Sequence, residues 1–257
     1  MNAFFIETQP SSTCLEEKED QLRRDLPKVP QHIAVIMDGN RRWAKQHGLP
    51  IMMGHAQGVA TLIQIVQAAT ELGVKILTVY AFSTENWQRS SFEVEALMQL
   101  FKNYLRDHRE NMLKQGVRLE TIGDLHRLPA DLLEELHLSK EATKECTAIE
   151  LVLALNYGGR DDICRAAKAI LNDYSKGKLS DINLTEAIFA NYLDTARWSD
   201  PELFIRTSGE KRLSNFLLWQ LSYSEVYITD VLWPDFDKKE LLYAILDFQQ
   251  RKRRWGS

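Results

Sequence analysis

The sequence is poor in cysteine. Only Cys14, Cys146 and Cys164 occur in 257 residues, and none has CxxC spacing. That argues against a zinc site or a disulfide framework and suits a reducing cytosol. No apolar run approaches the length of a membrane span. The first residues lack the basic and apolar regions of a secretory signal. Positive charge is not in excess either: 32 Lys and Arg against 36 Asp and Glu give a net charge of −4 and a pI near 5.9. Such a balance offers no general surface for nucleic acid, so an anionic ligand would need a local group of arginines. There is no GxxxxGK(S/T) loop, no GxGxxG after a strand and no GxSxG elbow. P-loop, dinucleotide-binding and α/β-hydrolase chemistries are therefore disfavoured.

What is present is enough apolar material, 44% of residues, for a sizeable core. Short runs rich in Ile, Val and Leu read as strands at His32–Met37, Lys75–Tyr80, Val117–Ile122, Ile149–Leu155, Leu203–Arg206 and Glu225–Thr229. Between them, helical periodicity covers Ala56–Leu72, Phe92–Gln115, Pro129–Cys146, Asp161–Asp173, Leu184–Thr195 and Lys238–Gln250. The alternation predicts a single α/β domain over residues 30–257: a mainly parallel six-stranded sheet flanked by helices on both faces. Residues 1–29 are polar and charge-mixed and read as a flexible tail, with a short helix at Leu15–Leu26.

Ligands on such sheets bind beyond the carboxyl ends of the strands. After the first strand stands Asp38-Gly39-Asn40-Arg41-Arg42-Trp43. Gly39 permits close backbone approach, Asn40 can cap a helix, the arginines suit phosphate, and Asp38 suits Mg²⁺. The competing reading is an ordinary capped turn. After the second strand, Ser83-Thr84-Glu85-Asn86-Trp87-Gln88-Arg89 crowds polar groups suited to substrate orientation and proton handling, or else a capping loop anchored by Trp87. Gly158-Gly159 suits an anion nest or, equally, a tight connector. Arg206, Arg212 and Ser214 could hold a further phosphate group, with Ser214 capping a following helix. Glu225 on its own reads as a surface ion pair. Arg251–Arg254 is a basic cluster.

Taken in order, HIAVIMDGNRRWAK at 32–45, GH at 54–55, YAFSTENWQR at 80–89, NYGGR at 156–160, RTSGEKRLSNFLLWQLSYSE at 206–225, VLWPDF at 231–236 and RRWG at 253–256 resemble the cis-prenyltransferases of the bacterial undecaprenyl diphosphate synthase type. The resemblance runs from about residue 30 to the end. It implies a Mg²⁺-dependent condensation of isopentenyl diphosphate with an allylic prenyl diphosphate, farnesyl diphosphate first among them. The implied product is a long-chain cis-polyprenyl diphosphate such as undecaprenyl diphosphate, a cell-wall lipid carrier. Asp38 then matches the aspartate that binds Mg²⁺ and helps ionise the allylic diphosphate. Gly39, Asn40, Arg41, Arg42 and His55, with Trp43, match the site of that diphosphate. Ser83, Thr84 and Glu85 match substrate neighbours, Asn86 the position assigned to proton acceptance, and Trp87 and Arg89 a closing segment. Arg206, Arg212, Leu213 and Ser214 match the isopentenyl diphosphate site, and Glu225 a second metal-associated carboxylate. The resemblance also implies a homodimer in the cytoplasm, peripheral contact with the inner membrane for product release, and a hydrophobic tunnel walled by helices Ala56–Leu72 and Phe92–Gln115.

The sequence departs from that pattern in three places. Arg41 stands where Gly is common, Ile51 where many members carry an Arg, and Ser90 where Pro is common. Asp161-Asp162 is followed by Ile-Cys-Arg, so the DDxxD motif of the all-helical trans-prenyltransferases is missing. Two rival expectations are a non-catalytic accessory subunit, disfavoured by retention of Asp38, Arg42, Arg206, Arg212 and Ser214, and an RNA-binding protein using the basic tail, disfavoured by the acidic remainder.

Overall fold

The fold is described from a computed structural model, over residues 29–179 and 183–251. Apart from Val29, the expected polar tail and its short helix lie outside the described residues, as does the basic cluster beyond Arg251.

Strand β1 (His32–Ile36) is buried along its whole length, because apolar side chains face helices on one side and aromatic residues on the other. It is the hub of a six-stranded sheet ordered β3-β4-β2-β1-β5-β6, made with β2 (Ile76–Ser83), β3 (Val117–Ile122), β4 (Ile149–Tyr157), β5 (Leu203–Arg206) and β6 (Glu225–Ile228). Every pairing is parallel, so the sheet is wholly rather than mainly parallel. The chain winds outward from β1 first through β2 and later through β5. The tips of β1, β2 and β5 therefore open a crevice where the winding reverses.

The helices are α1 (Asn40–Gln46), α2 (Ile51–Glu71), α3 (Ser91–Lys114), α4 (Ala130–Thr143), α5 (Gly159–Ser175), α6 (Glu186–Ala190) and α7 (Lys238–Gln250). α2, α3, α4 and α7 supply Leu62, Ile65, Leu97, Leu105, Leu132, Leu136, Leu241 and Ile245 to the larger core on one face. The other face is covered mainly by the non-helical run around Phe216, Leu217 and Leu221, with Trp198, and by the first turn of α5, whose Gly159 sits tightly against Leu218.

Two elements differ from expectation in ways that matter. β2 continues past Tyr80 to Ser83 through a bulge: Tyr80 pairs with Ala154 and Phe82 with Leu155, leaving Ala81 out of register. A bulge re-aims side chains at a strand end, and here it turns Ala81 into the crevice. The helix expected at Leu184–Thr195 shrinks to Glu186–Ala190. Asp194 is the cause: it accepts from Gly123 N and from Arg165, and its own amide donates to Asp162, which pulls the chain into turns.

Candidate active site

Asp38 lies just past β1, and its backbone is fixed from two sides. Thr207 Oγ1 accepts from Asp38 N at 2.9 Å and donates to Asp38 O at 2.6 Å, while Trp233 N donates to the same carbonyl at 3.0 Å. Gly39 follows at φ +115°, where a Cβ would stand 3.0 Å from Leu232; only glycine serves there. The Asp38 carboxylate accepts from Arg206 Nη2 at 2.9 Å. Arg206 is 3% exposed. Its Nη1 donates to Ser214 Oγ at 2.8 Å and to the Arg212 carbonyl, while its Nε has no partner. Arg42 donates to Ser208 and Glu210, which ties α1 to the loop after β5.

At the end of β2, Asn86 Oδ1 accepts from Ser83 N at 3.1 Å and closes the short turn Thr84–Gln88. Glu85 accepts from Asn215 Nδ2 at 2.9 Å. Burial acts to raise the Glu85 pKa, but the hydrogen bonds from Asn215, its own amide, Ser83 and Thr84 outweigh it and hold the carboxyl below its ordinary value. Arg89 donates to Glu93 at 3.0 Å, and Glu93 lies 3.4 Å from His55 Nε2, joining the first turns of α2 and α3. Burial, and then the charge of Arg89, lower the His55 pKa against the pull of Glu93, with Arg41 lowering it further. The imidazole is neutral at pH 7.

These groups surround a polar cavity of about 600 Å³ at the carboxyl edge of the sheet. It brings together Asp38, Asn40 and His55 from one side, Ser83, Glu85, Asn86 and Arg89 from a second, and Arg206, Arg212 and Ser214 from a third. Below it, sharing Met37, Ala81 and Leu97, an apolar cleft runs between α2 and α3 past Val59, Leu62, Phe101, Tyr104 and Trp233. The cleft holds about 60 Å³, room for a few waters. It lies between the two helices expected to wall a tunnel, but it is too small to hold a prenyl chain.

Several expected site residues stand elsewhere or make contacts other than those expected. Trp43 donates to Asp235 at 2.7 Å and stacks on His47, so it clips α1 to the 233–235 turn. Arg41 is exposed and acts on the site through its charge on His55. Leu213 packs in the second core beside Tyr80 and Phe216. Trp87 turns away from the cavity, packs edge-on against Phe82 and donates to Asn156 at 2.7 Å, with Arg127 4.5 Å above its ring. Thr84 faces Gly158. Asn40 is the first residue of α1, whose N-cap is Gly39, and makes no cap; its Oδ1 is buried against Gly58 without a partner. No helix follows Ser214, because Ser214, Asn215 and Leu217 all have positive φ. Gly158-Gly159 is the tight connector and not an anion nest, since Asn215 occupies the Gly159 and Arg160 amides.

Glu225 does not join Asp38. It pairs with Leu203 at the amino end of β5, whereas Arg206, level with Ile36, marks the carboxyl end, about 10 Å further along the strand. Glu225 instead binds Arg251 at 3.1 Å. No cluster of three or more His, Cys, Asp or Glu suited to a metal occurs among the described residues. Mg²⁺ is commonly held by one or two carboxylates plus substrate phosphates. Asp38, 31% exposed at the cavity wall, fits that mode; Glu225 of the same chain does not.

Sequence reasoning assigned no role to Thr207, Trp233, Glu93, Asn156 or Asn215. All but Glu93 sit inside the quoted motifs, but their roles depend on contacts across loops far apart in sequence.

A wholly parallel sheet with arginines and carboxylates gathered in a crevice at its carboxyl edge, above an apolar cleft, defines an α/β protein whose ligand site lies at the switch point of the sheet. A family model described as "Putative undecaprenyl diphosphate synthase" matches residues 36–256. Curated isoprenyl transferases are similar: that of Clostridium perfringens is 50% identical over 89% of this chain and 90% of its own length, and that of Bacillus subtilis 46% identical over 96% and 95%. Among solved structures, lavandulyl diphosphate synthase from Lavandula x intermedia, in complex with dimethylallyl diphosphate, aligns with a TM-score of 0.86 at 38% identity, covering 89% of this chain and 98% of that one. A probable undecaprenyl diphosphate synthase from Campylobacter jejuni aligns at 0.75 with 36% identity, covering 90% and 100%. The chain belongs to the undecaprenyl diphosphate synthase family of isoprenyl transferases. No helix among the described residues is long and apolar enough to cross a membrane.

Proposed function

We propose that the protein condenses isopentenyl diphosphate with an allylic prenyl diphosphate, farnesyl diphosphate being the first candidate, and repeats the addition to build a long-chain cis-polyprenyl diphosphate such as undecaprenyl diphosphate. The observation that carries this reading is the line Asp38–Arg206–Ser214 at the rim of the polar cavity, directly above an apolar cleft. Arg206, Arg212 and Ser214 hold the diphosphate of isopentenyl diphosphate. Asn40, His55 and Arg89, with the charge of Arg41 near them, hold that of the allylic substrate. The prenyl tail enters the cleft, which widens as α2 and α3 part.

Asp38 would hold Mg²⁺ jointly with the substrate, and the ion would supply charge neutralisation for the departing diphosphate. The arginines share that charge, and among them Arg206, 3% exposed, is the one held away from water. The double bond of isopentenyl diphosphate attacks the electron-poor carbon, and a proton is then lost. Asn86 lines the cavity and its carbonyl oxygen accepts from the Ser83 amide, so its NH₂ group is the part left to donate to substrate. A neutral amide is a poor base; Asn86 orients a diphosphate oxygen or a water that takes the proton. The enzyme works as a cytoplasmic homodimer that touches the inner membrane when product leaves, without a nucleic-acid partner.

Incubation of the purified protein with farnesyl or geranylgeranyl diphosphate, labelled isopentenyl diphosphate and Mg²⁺, followed by chromatography, tests this. Long polyprenyl products that require Mg²⁺ are expected. No incorporation, or incorporation indifferent to chelation, refutes it.

A further inference from the structure

We propose that Asn215 is a positioning residue of the reaction, tying the Thr84–Gln88 turn to the loop that carries Arg206, Arg212 and Ser214 and so setting the spacing of the two diphosphate grips. The inference rests on the proposed function above.

Asn215 joins three segments. Its Nδ2 donates to Glu85 Oε1 at 2.9 Å. Its Oδ1 accepts from Arg160 N at 2.9 Å, and its carbonyl accepts from Gly159 N at 2.6 Å. Its chain neighbour Ser214 accepts from Arg206, which binds Asp38. A continuous line of polar contacts thus crosses the cavity from the tip of β1 to the turn after β2. The arrangement needs Asn in particular. A main-chain N–H can only donate, so Arg160 fixes the amide oxygen on that side and leaves the NH₂ group to face Glu85. Asp would supply the acceptor but set one carboxylate against another. The backbone agrees: Asn215 has φ +63° after Ser214 at +48°, a region that Asn tolerates better than most residues. Gly158 makes room, since a Cβ there would lie 2.7 Å from both Asn215 Nδ2 and Thr84 Oγ1. The consequence for chemistry is a fixed direction for the Glu85 carboxylate and a fixed width for the rim.

The test is a double-mutant cycle of Asn215→Asp and Glu85→Gln, read as kcat/KM for isopentenyl diphosphate. In the Glu85 background, N215D should lower it about 10- to 100-fold, with the larger share in KM. In the E85Q background the same change should cost less than about 3-fold, because the introduced glutamine can donate to the introduced aspartate and the pair re-forms with reversed polarity. The N215D defect should also shrink as pH falls and the two facing carboxylates share a proton, a change that a general packing defect would not produce. Equal losses in both backgrounds overturn the proposal. Should N215D lose its melting transition or E85Q prove inactive, Asn215→Gly decides: it accepts the same φ and lacks both side-chain bonds. A raised KM for isopentenyl diphosphate with melting retained supports the role, and wild-type kinetics overturn it. A wild-type protein that never incorporates isopentenyl diphosphate refutes the proposed function instead.

Discussion

Asp38→Asn separates two roles of one carboxylate by the sign of a stability change. The substitution keeps size and shape and removes the charge on which Arg206 rests. Arg206 Nη2 lies 2.9 Å from Asp38 Oδ2, and the arginine is 3% exposed. Unit charges at that distance attract by about 6 kcal/mol at an effective dielectric of about 20. Asp38 is 31% exposed, so water screens much of this, and Arg206 keeps its bonds to Ser214 and the Arg212 carbonyl. A net loss of about 2 kcal/mol is expected, equivalent to a fall in Tm of about 4–8 °C for a chain of this size. Thermal melting in metal-free buffer measures it. Were Asp38 only a metal ligand, idle without its metal, removing its charge would leave Tm unchanged or raise it. Inorganic pyrophosphate offers Arg206 a substitute anion, so without metal it should raise the Tm of the variant more than that of the wild type. With Mg²⁺ present, incorporation of isopentenyl diphosphate should fall at least about 100-fold. An unchanged or higher metal-free Tm refutes the resting ion pair, and retained turnover removes Asp38 from the chemistry.

His32 is buried between Thr78 Oγ1 and the Ser199 carbonyl, and burial, only partly opposed by the Ser199 bond, pushes its pKa down to about 4. Unfolded, it titrates near 6.5, so between those values the unfolded chain binds the extra proton. Its contribution is intact above pH 6.5 and is lost as pH falls through 4, about 3 kcal/mol in all; urea midpoints should drop less over that window in His32→Gln than in the wild type. Gly58→Ala would set a Cβ 2.5 Å from Asn40 Oδ1 and 3.1 Å from Trp233, costing about 1–3 kcal/mol by overpacking and raising KM for the allylic substrate; a normal Tm and KM would mean that Asn40 can move freely. His55, neutral at pH 7 through burial and the charge of Arg89, should gain a proton when a diphosphate arrives beside it. Calorimetry of pyrophosphate binding in buffers of different ionisation enthalpy should show proton uptake in the wild type and less in His55→Gln.

Regular elements were readable because burial writes period into sequence. β3 and β5 and helix α7 match their expected limits, and the apolar run of β1 marks the hub of the sheet. Errors fall where tertiary contacts override local pattern. α2 starts at Ile51, five residues early, because Pro50 opens the helix and Gly54 and Gly58 replace apolar residues on the face that meets Asn40; absent side chains leave no periodic signal. β2 gains its last residues from a bulge that no residue type announces. α6 stops short because Asp194 is claimed by Arg165 and Gly123, partners 29 and 71 positions away.

The site was legible by residue type and illegible by geometry, for one reason. The loop after β5 holds Ser208, Ser214, Asn215 and Leu217 at positive φ, and three of these are residue types that do not favour left-handed backbone. Left-handed backbone outside glycine costs of order 1 kcal/mol or more per residue and persists only where surrounding contacts enforce it. Here the contacts can be named. Ser208 N bonds the Val231 carbonyl, Ser214 holds Arg206, Asn215 holds Glu85 and two amides, and Leu217 is fully buried among Phe216, Phe204 and Tyr157. The aromatic core on that face therefore does more than cover the sheet: by anchoring Phe216 and Leu217 it forces the two residues before them to turn back over the crevice, where their side chains meet Arg206 and Glu85. A reading by motif finds Arg206 and Ser214 but expects a helix after them. A helix there would carry Asn215 off along its axis and leave Glu85 and the buried guanidinium without these partners.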